Sequence, residues 1–196
     1  MKKFIVPRIL RHKGTEGFPL MLPVGGYGVK PPVPVRNKTR RDYFMGDYAI
    51  YSKYLVRSVN HIFKQFLGDA SIEEVYETQC SPRDPRVAVE ISGTLKGEII
   101  INLPVKTLNV ITKKFIGERD SRSIKKYHLD VAGELANLIT GTFANQLQYN
   151  NHSVILSPPE FEEDPITIKA LYDNVNLSFN SAFGGFDVDL YFKEVN

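Results

Sequence analysis

The chain has a single cysteine, Cys80, among 196 residues. No intramolecular disulfide can form, and a reducing cytoplasm is the expected compartment. The sequence also lacks any run near the ~20 apolar residues of a membrane span. The expectation is therefore a soluble protein with no membrane partner. Met-Lys-Lys-Phe-Ile-Val at the start imitates a signal peptide, but Pro7, Arg8 and Arg11 break its apolar region early. There is no Gly-x-Ser-x-Gly elbow, and Cys80 has no activating neighbour in sequence, which argues against serine or cysteine hydrolysis. Residues 25–30 are glycine-rich but fit neither the dinucleotide nor the P-loop spacing, and no strand precedes them. His128, Asp130 and Glu134 are spaced unlike a helical zinc motif, so no metal site is expected. No internal repeat is strong enough to assert.

What is present is unevenly spread. The net charge is +3. Residues 1–41 hold ten Lys/Arg and one acid, Glu16, whereas residues 42–196 hold fifteen Lys/Arg and twenty-one Asp/Glu. The body is mildly acidic, which argues against nucleic acid as its main ligand. Half of the twelve prolines lie at positions 7, 19, 23, 31, 32 and 34. This composition divides the chain into a basic Pro/Gly-rich arm, residues 1–46, and a domain, residues 47–196. A flexible tail fits the arm. So does an arm packed on its own body or on a second subunit, with Phe4, Ile5, Phe18 and Leu20 among the residues giving it grip.

Apolar spacing over 47–196 predicts an α+β fold, with helices packed on a large, mostly antiparallel sheet. A first helix is expected from Asp47 to Leu67, stopped by Gly68. Strands are expected at Ile72–Thr78, Val87–Ser92 and Glu98–Leu103, the last two joined by a turn that Gly93 and Gly97 frame. Pro104 opens a helix at Val105–Ile116, and Gly117 stops it. A long helix spans Tyr127–Gln148. Ser153–Leu156, Ile166–Tyr172, Val175–Ser178 and Phe186–Phe192 read as further strands, with turn signals at Asp173-Asn174 and Gly184-Gly185.

The long helix carries the chemistry. Asp130, Glu134, Asn137, Gly141, Asn145 and Gln148 form a narrow polar stripe opposite Val131, Leu135, Leu138, Ile139, Phe143 and Leu147. Glu134 and Asn137 share one face, with Gly133 and Gly141 bracketing them. Glycine inside a helix costs about 1 kcal/mol relative to alanine. Two of them suggest a docking face where something comes close to the backbone. Solvated surface is the plainer reading of an acid and an amide there.

Residues 130–141, Asp-Val-Ala-Gly-Glu-Leu-Ala-Asn-Leu-Ile-Thr-Gly, closely resemble the signature helix of the CheC/CheX/FliY family of chemotaxis phosphatases. The family frame Asp-x-x-Gly-Glu-x-x-Asn-x-x-x-Gly is met by Asp130, Gly133, Glu134, Asn137 and Gly141. Ile91 to Leu103 resembles the family hairpin, Val105–Gly117 its following helix, and Ser157-Pro-Pro the step after the signature helix. The resemblance covers about residues 47–196 and leaves the arm unexplained.

It implies a CheC-like fold and a phosphatase acting on the aspartyl phosphate of a CheY-like response regulator. Glu134 and Asn137 would be catalytic, Asp130, Gly133 and Gly141 would serve partner docking, and the chain would need no cofactor of its own. Mg²⁺ would sit on the partner regulator. Some members carry a second Glu-x-x-Asn on the first helix. Arg57-Ser-Val-Asn60 is the counterpart here, with a base in place of the acid, so one site per chain is expected. This single-motif pattern is closest to CheX, and CheX proteins are typically homodimers joined through their sheets. A non-catalytic, regulator-binding adaptor or motor-switch module with the same fold is the alternative.

Overall fold

Alternation along the strands gives the sheet two unlike faces. Val87, Val89 and Ile91 point to one face, as do Leu95, Ile99 and Ile101, Val175, Leu177 and Phe179, and Phe186, Val188 and Leu190. An apolar face of this width has to be covered. The computed structural model describes residues 40–117, 124–162 and 172–195, and there three helices cover it. The elements in chain order are α1 (Arg40–Gln65), β1 (Glu73–Val75), β2 (Arg86–Gly93), β3 (Leu95–Asn102), α2 (Val105–Ile116), a 3₁₀ turn (Lys125–Tyr127), α3 (His128–Tyr149), β4 (Val154–Leu156), β5 (Glu160–Glu162), β6 (Asp173–Ser181) and β7 (Gly184–Glu194).

The seven strands run antiparallel in the order β1-β6-β7-β3-β2-β4, and β5 pairs with β2 beside β4. β3 and β7 form the centre, paired from Leu95 opposite Glu194 to Asn102 opposite Asp187. α3 lies between α1 and α2 and packs over β2 and β4. Tyr51, Leu55, Val59, Ile62 and Phe63 bury one side of α1. The Phe63 ring stacks on Phe186 at 4.7 Å, and Phe186 on Phe179 at 5.3 Å, so α1 is fixed to the β6–β7 hairpin by aromatic contact. Tyr51 donates to Glu194, tying α1 to the end of β7.

The fold agrees with the expected class, and α2 has its predicted bounds, with Pro104 at its start and Gly117 (φ 75) at its end. Several boundaries differ. α1 begins at Arg40 rather than Asp47, since between Pro34 and Asp47 the sequence holds no helix breaker stronger than Gly46. Gly97 is no turn residue. It lies within β3 opposite Ile91, and a Cβ there would meet the Tyr191 carbonyl oxygen at 2.1 Å. Asp173 and Asn174 lie inside β6, opposite Phe192 and Tyr191, because the full length of β7 offers them partners. Gly184 and Gly185 begin β7 instead of forming the turn. β5 was not foreseen, since three residues with two acids carry no strand pattern. The strand expected at Ile166–Tyr172 lies outside the described residues except for Tyr172. Residues 1–39 of the arm also lie outside them.

Asp69 closes the turn after α1. It accepts from the backbone N–H and hydroxyl of Ser71 at 2.8 and 2.6 Å and from the Ala182 N–H at 2.8 Å. Burial pushes its carboxyl pKa up, but the hydrogen bonds outweigh this and hold it below the usual aspartate value. A lowered folded pKa means stability that is present above pH ~4 and lost as pH falls through the folded value. Asp69→Asn should lower the urea midpoint at neutral pH, and the gap to the unmutated protein should close below pH ~4. Gly97→Ala should cost about 1–3 kcal/mol by overpacking against β7, read from the same urea curves.

Candidate functional site

α3 buries ten residues, among them Val131, Leu135, Ala136, Ile139, Phe143 and Leu147, and this orients the rest of the helix. Asp130, Glu134 and Asn137 are exposed, and Gly141 is partly so, on the one remaining arc. Helical positions i and i+3 hold their Cβ atoms about 5–6 Å apart, so the Glu134 carboxylate and the Asn137 amide stand side by side in solvent. Neither side chain has a hydrogen bond or ion pair among the described residues. An acid and an amide left without internal partners on a rigid helix are available to groups outside the protein.

Two side-chain braces keep that helix in place. Near its start, His128 Nε2 donates to Asn109 Oδ1 of α2 at 2.9 Å. Burial lowers the His128 pKa, and the Lys125 charge lowers it further, both favouring the neutral imidazole. Toward its end, Gln146 Nε2 donates to Ser58 Oγ at 2.7 Å and to the Tyr54 carbonyl at 3.1 Å, both on α1. Sequence reading passed over Asn109 and Gln146 as positioning residues. Their partners lie 19 and about 90 positions away, beyond any local pattern.

The two glycines differ. A Cβ at Gly141 would meet nothing within 4 Å, so the backbone there is open to approach. Gly133 is buried, and a Cβ there would rest 3.9 Å from Pro159 and 4.0 Å from Phe161. The segment leading into β5 thus lies against Gly133, while the backbone at Gly141 stays open. On α1, Arg57 is exposed, and the Asn60 amide donates to the Val56 carbonyl of its own helix at 2.9 Å. Among the described residues no three His, Cys, Asp or Glu side chains converge to hold a metal ion.

The opposite face of the sheet, which no helix among the described residues covers, has a groove of about 410 Å³ beside Cys80, Arg86, Asn102, Asp187, Asp189 and Tyr191. Its polar groups bond to one another. Asp187 accepts from the Gln79 and Cys80 N–H groups at 2.9 and 3.0 Å, and Asp189 from Asn176 and Asn102 at 2.6 and 2.9 Å. Burial pushes the Asp189 carboxyl up, though these amides partly offset it. The Cys80 thiol, which donates to the Asn102 carbonyl at 3.1 Å, is pushed far above its usual value, first by burial and then by the Asp187 charge. Such a thiol is no nucleophile at neutral pH. The groove reads as a clamp on the loop before β2.

Residues 86–171 match the family model described as chemotaxis phosphatase CheX. The resemblance to the CheC/CheX/FliY chemotaxis phosphatases holds. Solved structures carry the same fold. CheX from Desulfovibrio desulfuricans is 16% identical over 74% of this chain and 99% of its own, with a TM-score of 0.61. CheX from Vibrio vulnificus is 19% identical over 74% and 98%, also at 0.61. A CheX–CheY–BeF3–Mg²⁺ complex from Borrelia burgdorferi contains a chain 19% identical over 74% and 98%, at 0.59. At such identities these structures establish the CheX-like fold and nothing finer. No curated protein matches the sequence. No helix among the described residues is long and apolar enough to cross a membrane.

The open space at Gly141 makes a simple forecast. Gly141→Ala should stabilise the domain by about 0.5–1 kcal/mol, because helical glycine is entropically unfavourable and the new methyl meets nothing. A drop in the urea midpoint would contradict the open backbone there.

Proposed function

We propose that this chain is a cytoplasmic phosphatase that hydrolyses the aspartyl phosphate of a CheY-like response regulator, with α3 as its working element. The observation that carries this reading is the Glu134–Asn137 pair, exposed together on a braced helix without partners among the described residues. The match of residues 86–171 to the CheX model supports it, as does the similarity to a CheX chain solved in complex with CheY.

The chemistry asks little of the protein. An acyl phosphate is already activated, and hydrolysis needs a water held in line with the leaving carboxylate oxygen. Asn137 accepts from and donates to that water without titrating at any ordinary pH. As the water oxygen bonds to phosphorus, the bond from phosphorus to the aspartyl oxygen breaks. The regulator's carboxylate is released, and the water's protons pass to phosphate and solvent. Glu134 pairs with the regulator's active-site lysine and anchors the docked helix. Open backbone at Gly141 lets the partner lie close, and Asp130 continues the docking stripe. We assign the Mg²⁺ that neutralises the phosphoryl group to the regulator, and none to this chain. By the same resemblance two chains join through their sheets as a homodimer.

The test is the decay of a phosphorylated CheY-like regulator. The unmutated protein should accelerate it. Asn137→Ala should cut the rate at saturation on the order of 10²-fold while binding persists. Glu134→Gln should chiefly weaken binding. Stable binding with no acceleration by the unmutated protein would instead establish an adaptor.

A further inference from the structure

Charge is sorted by layer in this domain. Residues 49–65 of α1 carry Lys53, Arg57 and Lys64 and no acid. α2 carries Lys106, Lys113 and Lys114 and no acid, and Lys125 and Lys126 follow in the 3₁₀ turn. α3, between them, carries Asp130 and Glu134 and neither Lys nor Arg. The described residues outside the helical layer (66–104, 150–162 and 172–195) hold thirteen Asp/Glu against four Lys/Arg. The helical layer is thus positive and the sheet with its loops negative.

The positions of the cations make this more than composition. Lys53, Arg57 and Lys64 recur at four and seven residues, so they share one arc of α1, away from the buried Tyr51, Leu55, Val59 and Ile62. Lys106 and Lys113 share an arc of α2, with Lys114 beside it and the buried Leu108 and Ile111 on another side. All eight cationic side chains are exposed, and none has an acidic partner among the described residues. α3 packs against both flanking helices, and all three bury their apolar sides in one core under one sheet face. Their solvent arcs therefore look the same way, and the Glu134–Asn137 stripe runs between two rows of unpaired cations.

Unpaired like charges within a Debye length repel one another, a cost that surface ion pairs would relieve. A partner with the opposite charge relieves it on binding. We propose that the two rows are electrostatic rails for a regulator whose surface around its phosphorylated aspartate is acidic. The rails draw that partner onto α3 and set its orientation. This rests on the reading that α3 docks to such a regulator. It adds the charge that the partner must present, and it places partner choice on α1 and α2 rather than on the catalytic helix. Rail charges act on encounter and affinity, not on the bond-breaking step.

The experiment measures two quantities: binding of a CheY-like regulator held in its phosphorylated form by beryllofluoride and Mg²⁺, and hydrolysis of the phosphorylated regulator. The variants are K53E/R57E/K64E and K106E/K113E/K114E, each with a Lys/Arg→Gln counterpart in case reversal perturbs folding. The expected result is affinity weakened on the order of 10-fold or more per rail at low salt. The Gln sets should show a smaller loss, the salt dependence should flatten, and the saturated rate should not change. Asn137→Ala should do the opposite, keeping affinity and losing rate. Unchanged affinity and salt dependence in both rail variants would overturn the rails while leaving the phosphatase reading intact. Acceleration absent from the unmutated protein, with salt-sensitive binding still lost in the rail variants, would overturn the phosphatase reading and leave the rails standing.

Discussion

α3 is held on three sides. The sheet lies beneath it, α1 and α2 flank it, and ten of its residues are buried. Each large apolar residue so buried contributes about 1.5–3 kcal/mol, so rotating the helix about its axis would expose several such groups at once. What is left to solvent is one narrow arc, and its direction is set by packing and not by anything on the arc itself. Glu134 and Asn137 therefore face outward because Leu135, Ile139 and Phe143 face inward. The braces from His128 to Asn109 and from Gln146 to Ser58 fix the ends that packing alone leaves freer.

The same constraint assigns roles to the two faces of the sheet. The face toward the helices is apolar and has no chemistry to offer. The other face carries ionisable groups, yet those lining its groove are held by hydrogen bonds: Asp187 by backbone N–H groups, Asp189 by two asparagines, and Cys80 by a carbonyl. Buried polar groups need such partners, and once satisfied they rigidify rather than react. On the outer side of the helices, polar groups stand exposed without internal partners among the described residues. The acid, the amide and the unpaired cations all lie there, and that side is where a partner of opposite charge gains most.

Much of the fold was legible because local signals and tertiary packing agreed. Pro104 and Gly117 bound α2 from both ends, and the apolar spacing of α3 survived intact. Misreadings occurred where a partner strand overrode a local preference. Asp173 and Asn174 are turn formers by habit, but β7 extends far enough to pair with them. Gly97 has the look of a turn glycine and is instead a strand residue kept small by the Tyr191 carbonyl. β5 is too short to have a period of its own.

The sequence by itself determined the identity and spacing of the candidate site. A helix with Glu134 and Asn137 on one face follows from the 3.6-residue period, and the family resemblance follows from the residues framing them. Tertiary structure alone decided which side of that helix is free. It covered Gly133 with Pro159 and Phe161 while leaving Gly141 open, and it set the cations of α1 and α2 along the two sides of the polar stripe. Those outcomes depend on contacts between segments tens of residues apart, and helical periodicity carries no information about them.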